Sequence, residues 1–130
     1  MADEAALFLS IYTGITNMLH KNMSWTIDFY SEDVRLEIAA LPTGIRAAYV
    51  RLTELLEEFG LDLRMPHSRA MGSGLFELRP RGKEGIARVF YCTMVGRRIV
   101  VLHSFVKKTQ ETPKREIDVA RKRQKEVCGS

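Results

Sequence analysis

The stretch IARVFYCTMVGRRIVVLHSFVKK (residues 86–108) decides the fold, because it contains two long apolar segments separated by only two residues. The segments, 86–95 and 98–108, are nearly continuous in apolar, β-branched and aromatic residues, as is typical of central strands that are covered on both faces. The intervening "GR" (96–97) has the length of a hairpin loop. We therefore predict two antiparallel strands in the middle of a sheet.

The residues that precede this pair predict further strands. "LFELRP" (75–80) is β-like and reaches the first central strand through the hairpin-length "RGKEG", so the three runs should form an antiparallel meander. "WTIDFY" (25–30) alternates and is rich in aromatic and β-branched residues, which indicates an N-terminal strand. By contrast, the Pro, Ser and Gly content of "LDLRMPHSRAMGSG" (61–74) predicts a loop.

The segments between and after the strands have helical periodicity. "SEDVRLEIAAL" (31–41) begins with capping residues and stops at Pro42, and a second apolar periodicity runs to Phe59, with Gly60 at the position of a helix C-terminus. The last helix, "PKREIDVARKRQKEV", is strongly basic and follows the N-cap Thr112. The order predicts an α+β fold: an N-terminal strand and a helical hairpin packed on an antiparallel sheet of about four strands, with a basic C-terminal helix.

The length of 130 residues indicates one globular domain, which we place at residues 23–130. Residues 1–22 are mostly apolar after an acidic start and fit neither a signal peptide nor a spanning helix. They are expected to be either a helical or disordered extension of the domain or a segment that is not native. Two cysteines, Cys92 and Cys128, are too few for a disulfide framework, so a reduced, cytoplasmic protein is the simplest interpretation.

Charge is distributed unevenly along the chain. Residues 1–65 contain 5 Lys/Arg against 10 Asp/Glu, whereas residues 66–130 contain 15 against 6, within a total net charge of +4. A basic half on a small domain favours a polyanionic partner, of which nucleic acid is the commonest; the alternative is a solvated basic face.

The motifs of several enzyme classes are missing. The sequence has neither a phosphate-binding Gly loop followed by Lys-Ser/Thr nor a dinucleotide fingerprint. His20, His67 and His103 are too scattered to predict a metal site, and no paired Cys or His motif occurs. Any chemistry is therefore expected to use basic side chains, without a metal or other cofactor.

Three segments together resemble one protein family. "GLFELRP" (74–80), "ARVFY" (87–91) and "VLHSFVKKTQETPKREIDVARKR" (101–123) are similar to the RelE/HigB superfamily of toxins, and most similar to its phage-derived HigB-like branch. The resemblance extends over about residues 25–127. It implies a RelE-like fold and the toxin of a type II toxin–antitoxin pair.

The resemblance also implies an activity and partners. Such toxins enter the ribosomal A site, cut the mRNA there and stop translation in the cytoplasm, and a helix-turn-helix antitoxin binds and blocks them. No membrane is involved, and the oligomeric state stays open apart from the toxin–antitoxin complex. Cleavage without a metal uses the RNA's own 2′-OH, and it requires a base, cations around the phosphorane and an acid for the leaving oxygen.

Lys107 is the first choice for the general base or principal catalytic cation. It ends the last strand with the same parity as Phe105 and His103, and neighbouring cations would lower its pKa. Lys108 points to the other face if the strand continues, and is the weaker candidate for RNA binding. For both lysines the alternative is ordinary solvated charge.

Arginines on the neighbouring strands complete the predicted catalytic group. Arg88 stands among apolar residues, where an unpaired charge is costly, so it is a candidate phosphate ligand; the alternative is an ion pair with Glu77. Arg79 is expected to bind RNA or to support the site. Arg81 and Lys83 lie in a hairpin loop and are candidates for binding the RNA backbone, or are solvated.

The remaining RNA-binding candidates each have a structural alternative. Tyr91 is a candidate for stacking on a base, although an aromatic residue in a strand is more often in the core. His103 is a candidate acid or RNA contact, or a buried structural histidine. Arg121 and Arg123, on the basic helix, suit ribosomal RNA or an acidic antitoxin.

The chain departs from the family in its candidate acid. It has no tyrosine after Tyr91 and lacks the histidine and acidic set of another branch, so the resemblance does not assign the proton donor. A non-catalytic module that binds RNA or an antitoxin, and a ribosome-independent RNase, therefore stay open as alternatives.

Overall fold

The computed structural model describes residues 24–107 and 111–128. The predicted extension (1–22) and Lys108 lie outside these residues. The described elements, in chain order, are β1 (Thr26–Phe29), α1 (Glu32–Ala39), α2 (Thr43–Phe59), a 3₁₀ turn (Gly60–Asp62), β2 (Ser68–Gly72), β3 (Leu75–Leu78), β4 (Arg81–Gly82), β5 (Gly85–Met94), β6 (Arg98–Lys107) and α3 (Lys114–Cys128).

The strands form one mixed sheet, and the predicted α+β class is confirmed. The order is β1-β6-β5-β3-β2, with β4 paired to β5, so the two apolar strands are central as expected. The sheet differs from the predicted four antiparallel strands in two respects. The described residues form six strands, and β1 pairs with β6 in parallel, with Thr26 opposite Arg98 and Phe29 opposite Val101.

Strand β2 lies within the segment that was predicted to be a loop. It pairs with β3 in antiparallel orientation at one edge of the sheet, and Ser68 alone among its five residues is buried. Its sequence, SRAMG, has neither the alternation nor the β-branched residues that indicate a strand. The loop prediction was therefore wrong here, because the pairing is set by the neighbouring strand rather than by local preference.

Each face of the sheet is covered by helix. The α1–α2 hairpin covers one face, over a core that includes Val34, Ile45 and Leu56 together with Val89 and Val101 from the central strands. Helix α3 covers the other face over a smaller core, whose buried members are Leu75, Phe90, Cys92, Val100, Leu102 and Ala120. Below, the two are called the hairpin face and the α3 face.

A β-bulge in β6 changes the direction of its side chains. Phe90 pairs with His103 and Tyr91 with Val101, so Leu102 is an extra residue without a partner on β5. The carbonyl of Leu102 instead accepts a hydrogen bond of 2.8 Å from Arg123 of α3. Because of this extra residue, His103, Phe105 and Lys107 project from the α3 face.

Contacts from outside the helical hairpin define the ends of α2. Its N-terminus has no capping side chain of its own, and the Glu84 carboxylate accepts a 2.9 Å hydrogen bond from the Gly44 amide. At the other end Gly60 has φ +52°, and a Cβ there would lie 2.1 Å from the ring of Trp25. Glycine is therefore required at the predicted helix terminus. Within the described ranges, none of the helices is long and apolar enough to cross a membrane.

Candidate functional site

A basic cleft lies on the α3 face, beside β4, where β3 ends and β5 begins. Its volume is about 250 Å³, and its lining residues are Pro66, Arg79, Arg81, Ile86 and Arg88. Directly paired residues of neighbouring strands project from the same face, and Ile86 pairs with both Arg81 and Lys107. The sheet register thus brings Lys107 to the same region as three arginines that were predicted from the sequence.

A buried carboxylate lies beneath this cleft. Glu77 is fully buried, and its Oε1 accepts hydrogen bonds from Arg79 Nε at 2.9 Å and Arg88 Nη1 at 3.2 Å. Thr112, at the start of the last helical segment, donates to Glu77 Oε2 at 3.4 Å. The ion pair that was the alternative for Arg88 is therefore present, and a role in binding phosphate would have to be additional to it.

Arg88 has hydrogen-bonding capacity left over. Its side chain is 6% exposed, and its buried Nε has no hydrogen-bond partner among the described residues. Burial lowers the pKa of Arg88; Glu77 opposes this shift, and the neighbouring cations Arg79, Arg69 and Arg81 lower the pKa further. Among the described residues that act on this guanidinium, arginines thus outnumber the one carboxylate, which favours an anion as the missing partner.

Lys107 lies in the same electrostatic environment. Its pKa is lowered, first by burial and then by the charges of Arg88 and Arg79, while Glu77 and Glu111 act in the opposite direction. The expectation that neighbouring cations lower this pKa is correct in sign, although burial has the larger effect. A lowered pKa increases the fraction of neutral amine, which is the form that accepts a proton.

His103 projects from the α3 face but not into the cleft. It precedes Lys107 by four residues, which is about 13 Å along a strand. Its Nε2 lies against the carboxylate of Glu116 on α3, and its ring stacks with Phe90 and Phe105. The alternative prediction for His103, a buried and hydrogen-bonded structural histidine, describes this environment, and the side chain is not placed to protonate a leaving group in the cleft.

Tyr91 lies in the core of the hairpin face. It is 2% exposed, its ring stacks on Phe76 with centroids 5.3 Å apart, and its hydroxyl shares a 2.6 Å hydrogen bond with Ser68. Burial raises the pKa of this hydroxyl. An RNA base cannot reach this ring in the structure. Tyr91 is therefore a core residue, which was the alternative to stacking on RNA.

The arginines of α3 make contacts within the protein. Arg121 donates to the carbonyls of Met71 and Gly72, at 2.7 and 2.9 Å, and so holds the β2–β3 turn. Arg123 donates to the bulged Leu102 carbonyl and lies over the ring of Tyr30, 4.9 Å from its centroid. Both arginines therefore have structural roles, and any contact with RNA would be additional.

Other predicted residues lie farther from the carboxylate. Lys83 is exposed in the turn between β4 and β5, near Arg81 at the rim. No group of three or more His, Cys, Asp and Glu side chains that could hold a metal ion occurs in the described part of the chain.

Two residues that contribute to the site were not predicted from the sequence. Glu77 was considered only as an alternative partner of Arg88, yet it binds both Arg88 and Arg79. Arg69 was not considered, because β2 was predicted to be a loop; in the structure it pairs with Glu77 and adds to the positive charge around Arg88. The spacing of Glu77 and Arg79 in "ELR" was the available signal, since alternate strand residues share a face.

Comparison with known proteins identifies a family. None of the curated proteins matches the sequence significantly. The model of one family, described as Phage derived protein Gp49-like (DUF891), matches residues 36–125, and this family is associated with RelE/HigB-type toxins. The match covers 90 of the 130 residues, including the basic cleft and most of α3. The chain therefore belongs to the family of phage-derived Gp49-like proteins.

Proposed function

We propose that this protein is the toxin of a toxin–antitoxin pair and acts as a ribosome-dependent mRNA endonuclease. The observation that carries the proposal is a cleft lined by Arg79, Arg81 and Arg88, with Lys107 paired to the lining residue Ile86 and close enough to Arg88 and Arg79 for their charges to lower its pKa. Membership of the Gp49-like family is compatible with a toxin. The cleft adds a chemical reason to assign RNA as the substrate.

The charge of the cleft suits a phosphodiester. One buried carboxylate faces several cations, so the positive charge of the cluster is only partly neutralised. Arginine remains charged at all physiological pH values and binds phosphate oxygens through a planar fork of donors. Fixed cations of this kind stabilise the extra negative charge that develops on a phosphorane. Arg88 is the most buried of the three arginines that line the cleft, and Glu77 accepts a hydrogen bond from it.

Lys107 is assigned the role of base. Its neutral amine takes the proton of the ribose 2′-OH, the resulting oxygen attacks phosphorus, and the bond from phosphorus to the 5′-oxygen breaks. The leaving oxygen takes a proton from a donor that we do not assign to a residue. The products are a 2′,3′-cyclic phosphate and a 5′-hydroxyl end, which balances atoms and charge without a metal or cofactor.

One observation favours a second candidate, a non-catalytic module that binds RNA or an antitoxin. Glu77 already pairs with Arg79 and Arg88, and His103 lies against Glu116, so neither Glu77 nor His103 is available to protonate the leaving oxygen. A protein of this kind would use the same basic surface for binding alone.

The experiment compares wild type with Lys107→Ala and with Lys114→Ala, an exposed lysine at the start of α3, as a matched control. The ends of mRNAs are mapped in cells that express each protein. We expect cuts in register with codons that require translation, carry 5′-hydroxyl ends, and fall at least about 100-fold in Lys107→Ala but not in Lys114→Ala.

The other outcomes distinguish the alternatives. Cuts that persist undiminished in Lys107→Ala, when circular dichroism shows a folded protein, would remove the catalytic role of this lysine. Growth arrest without cuts would support the binding module. Cleavage of purified RNA without ribosomes would support a ribosome-independent RNase.

A further inference from the structure

The two cysteines of the chain meet across the smaller core. Cys92 is a buried residue of the central strand β5, and Cys128 is the last residue of α3 and is exposed. Their sulfur atoms are 3.6 Å apart, although the residues are separated by 36 positions in the sequence. The fold therefore brings one accessible and one protected thiol into contact.

The element that carries Cys128 is held to the sheet by few apolar contacts. Ala120 is the one described residue of α3 that is fully buried, and Ile117 and Val127 pack beside it only in part. The other contacts are polar: Arg121 and Gln124 bind the β2–β3 turn, Arg123 binds Leu102, and Glu116 and Glu126 bind His103 and Tyr30. An element with so little buried apolar surface can open locally at low free energy, and a covalent bond at its end would have a large effect.

We propose that Cys92 and Cys128 form an oxidation site, at which a peroxide-class oxidant produces an intramolecular disulfide that fastens the end of α3 to strand β5. The inference is independent of the nuclease proposal, since it concerns the opposite end of α3 from Thr112 and Glu77. Packing alone would not require two cysteines in contact, whereas a disulfide requires both.

The chemistry begins at Cys128. Its thiolate attacks the peroxide, the O–O bond breaks, and Cys128 becomes a sulfenic acid while hydroxide leaves. The Cys92 sulfur then attacks the Cys128 sulfur, water leaves, and the disulfide forms; overall two thiols and one peroxide give one disulfide and two waters. Burial raises the pKa of the Cys92 thiol to about 12, which makes Cys92 the second thiol to react rather than the first.

The required movement is small. A disulfide bond is about 2.05 Å long, so the sulfurs must approach by roughly 1.5 Å from the observed separation. Cys128 is the last residue of its helix, where side-chain rotation and fraying are least restricted. The buried sulfur of Cys92 can therefore remain in place.

The test uses the full chain treated with hydrogen peroxide and then with a maleimide under denaturing conditions. We expect both thiols to be lost together, with a monomer mass lower by about 2 Da, and to return on addition of dithiothreitol. The oxidised protein should have a Tm higher by roughly 10 °C. Hydrogen exchange of the α3 amides should slow at least tenfold relative to the reduced protein.

Cys128→Ser is the informative variant, because this position is exposed and the substitution leaves the core intact. It should abolish the mass change and the rise in Tm, and Cys92→Ala should abolish the mass change as a second, independent check. A peroxide-treated wild type in which Cys92 stays reactive while Cys128 gains about 32 Da as a sulfinic acid would overturn the proposal. A disulfide-linked dimer through Cys128 would overturn it equally.

Discussion

Replacing Glu77 by glutamine tests whether the basic cleft depends on one buried carboxylate. The substitution keeps the shape of the side chain and removes its charge. Arg88, with 6% of its side chain exposed, would then lie buried beside an uncharged amide, and Arg79, 27% exposed, would lose its partner as well. We expect a large loss of stability from a change of almost no volume.

The magnitude follows from the burial of the pair. Removing one partner of a buried ion pair costs about 3–5 kcal/mol, because the other charge is left without compensation. The glutamine oxygen still accepts one hydrogen bond, which places the expected loss near the lower end, at about 3 kcal/mol. The Arg79 contact adds less than about 1 kcal/mol, since that side chain is partly solvated.

Urea denaturation followed by the fluorescence of Trp25, the one tryptophan of the chain, measures this loss. At the slopes usual for a small domain, the unfolding midpoint should fall by roughly 2 M. Glu54→Gln, on the exposed side of α2, is the matched control and should change the free energy of unfolding by less than about 0.5 kcal/mol.

A double-mutant cycle decides the cause. If Glu77 acts by compensating Arg88, then Glu77→Gln combined with Arg88→Met should be less destabilised than the sum of the two single changes, by about 2 kcal/mol or more. Strict additivity, or a loss below about 1 kcal/mol for Glu77→Gln alone, would refute the claim that Glu77 stabilises the protein by compensating the buried charge of Arg88.

Three further predictions concern other parts of the molecule. Gly60→Ala should cost about 3 kcal/mol in urea denaturation, because φ is +52° and the new Cβ would meet the ring of Trp25; an unchanged midpoint would contradict this packing. Glu84 has a lowered pKa, chiefly because it accepts a hydrogen bond from the backbone of α2, so its contribution to stability should be present above about pH 4.3 and be lost as pH falls through the lowered value. Glu84→Gln should therefore be less stable than wild type at pH 7 and equally stable in acid, and a difference that persists in acid would count against the ionised cap. If Lys107 is the base, Arg79→Gln should move the acid limb of the cleavage pH profile to higher pH by removing a cation that lowers the Lys107 pKa, whereas an unmoved limb would argue against this coupling.

The parts of the fold that were predictable are those in which local pattern and tertiary environment agree. The central strands were evident because residues buried on both faces must be apolar at every position. The end of α2 was evident because Gly60 adopts a backbone conformation that other residues avoid. In both places the tertiary structure permits only one type of residue, apolar in the central strands and glycine at position 60, and that type is visible in the sequence.

Strand β2 and the direction of β1 were not predictable for the opposite reason. Four of the five residues of this edge strand are not buried, so few of its positions must be apolar. SRAMG therefore has the composition of a loop. The alternation of "WTIDFY" is the same whether its neighbour runs parallel or antiparallel, and the parallel pairing with β6 follows from the path of the chain through both helices.

The candidate site depends on the feature of β6 that is hardest to see in the sequence. Strict alternation from Val101, which lies on the hairpin face, would direct Lys107 to that face as well, away from Arg88. The extra residue at Leu102 reverses this direction, and its carbonyl is satisfied by Arg123. His103, Phe105 and Lys107 share one face, as their parity predicts, because all three follow the bulge. The bulge itself is not visible in the sequence, because Leu102 is as apolar as its neighbours. A basic residue of α3 thus contributes to the cleft without touching it, by stabilising the strand register that brings Lys107 to the arginines.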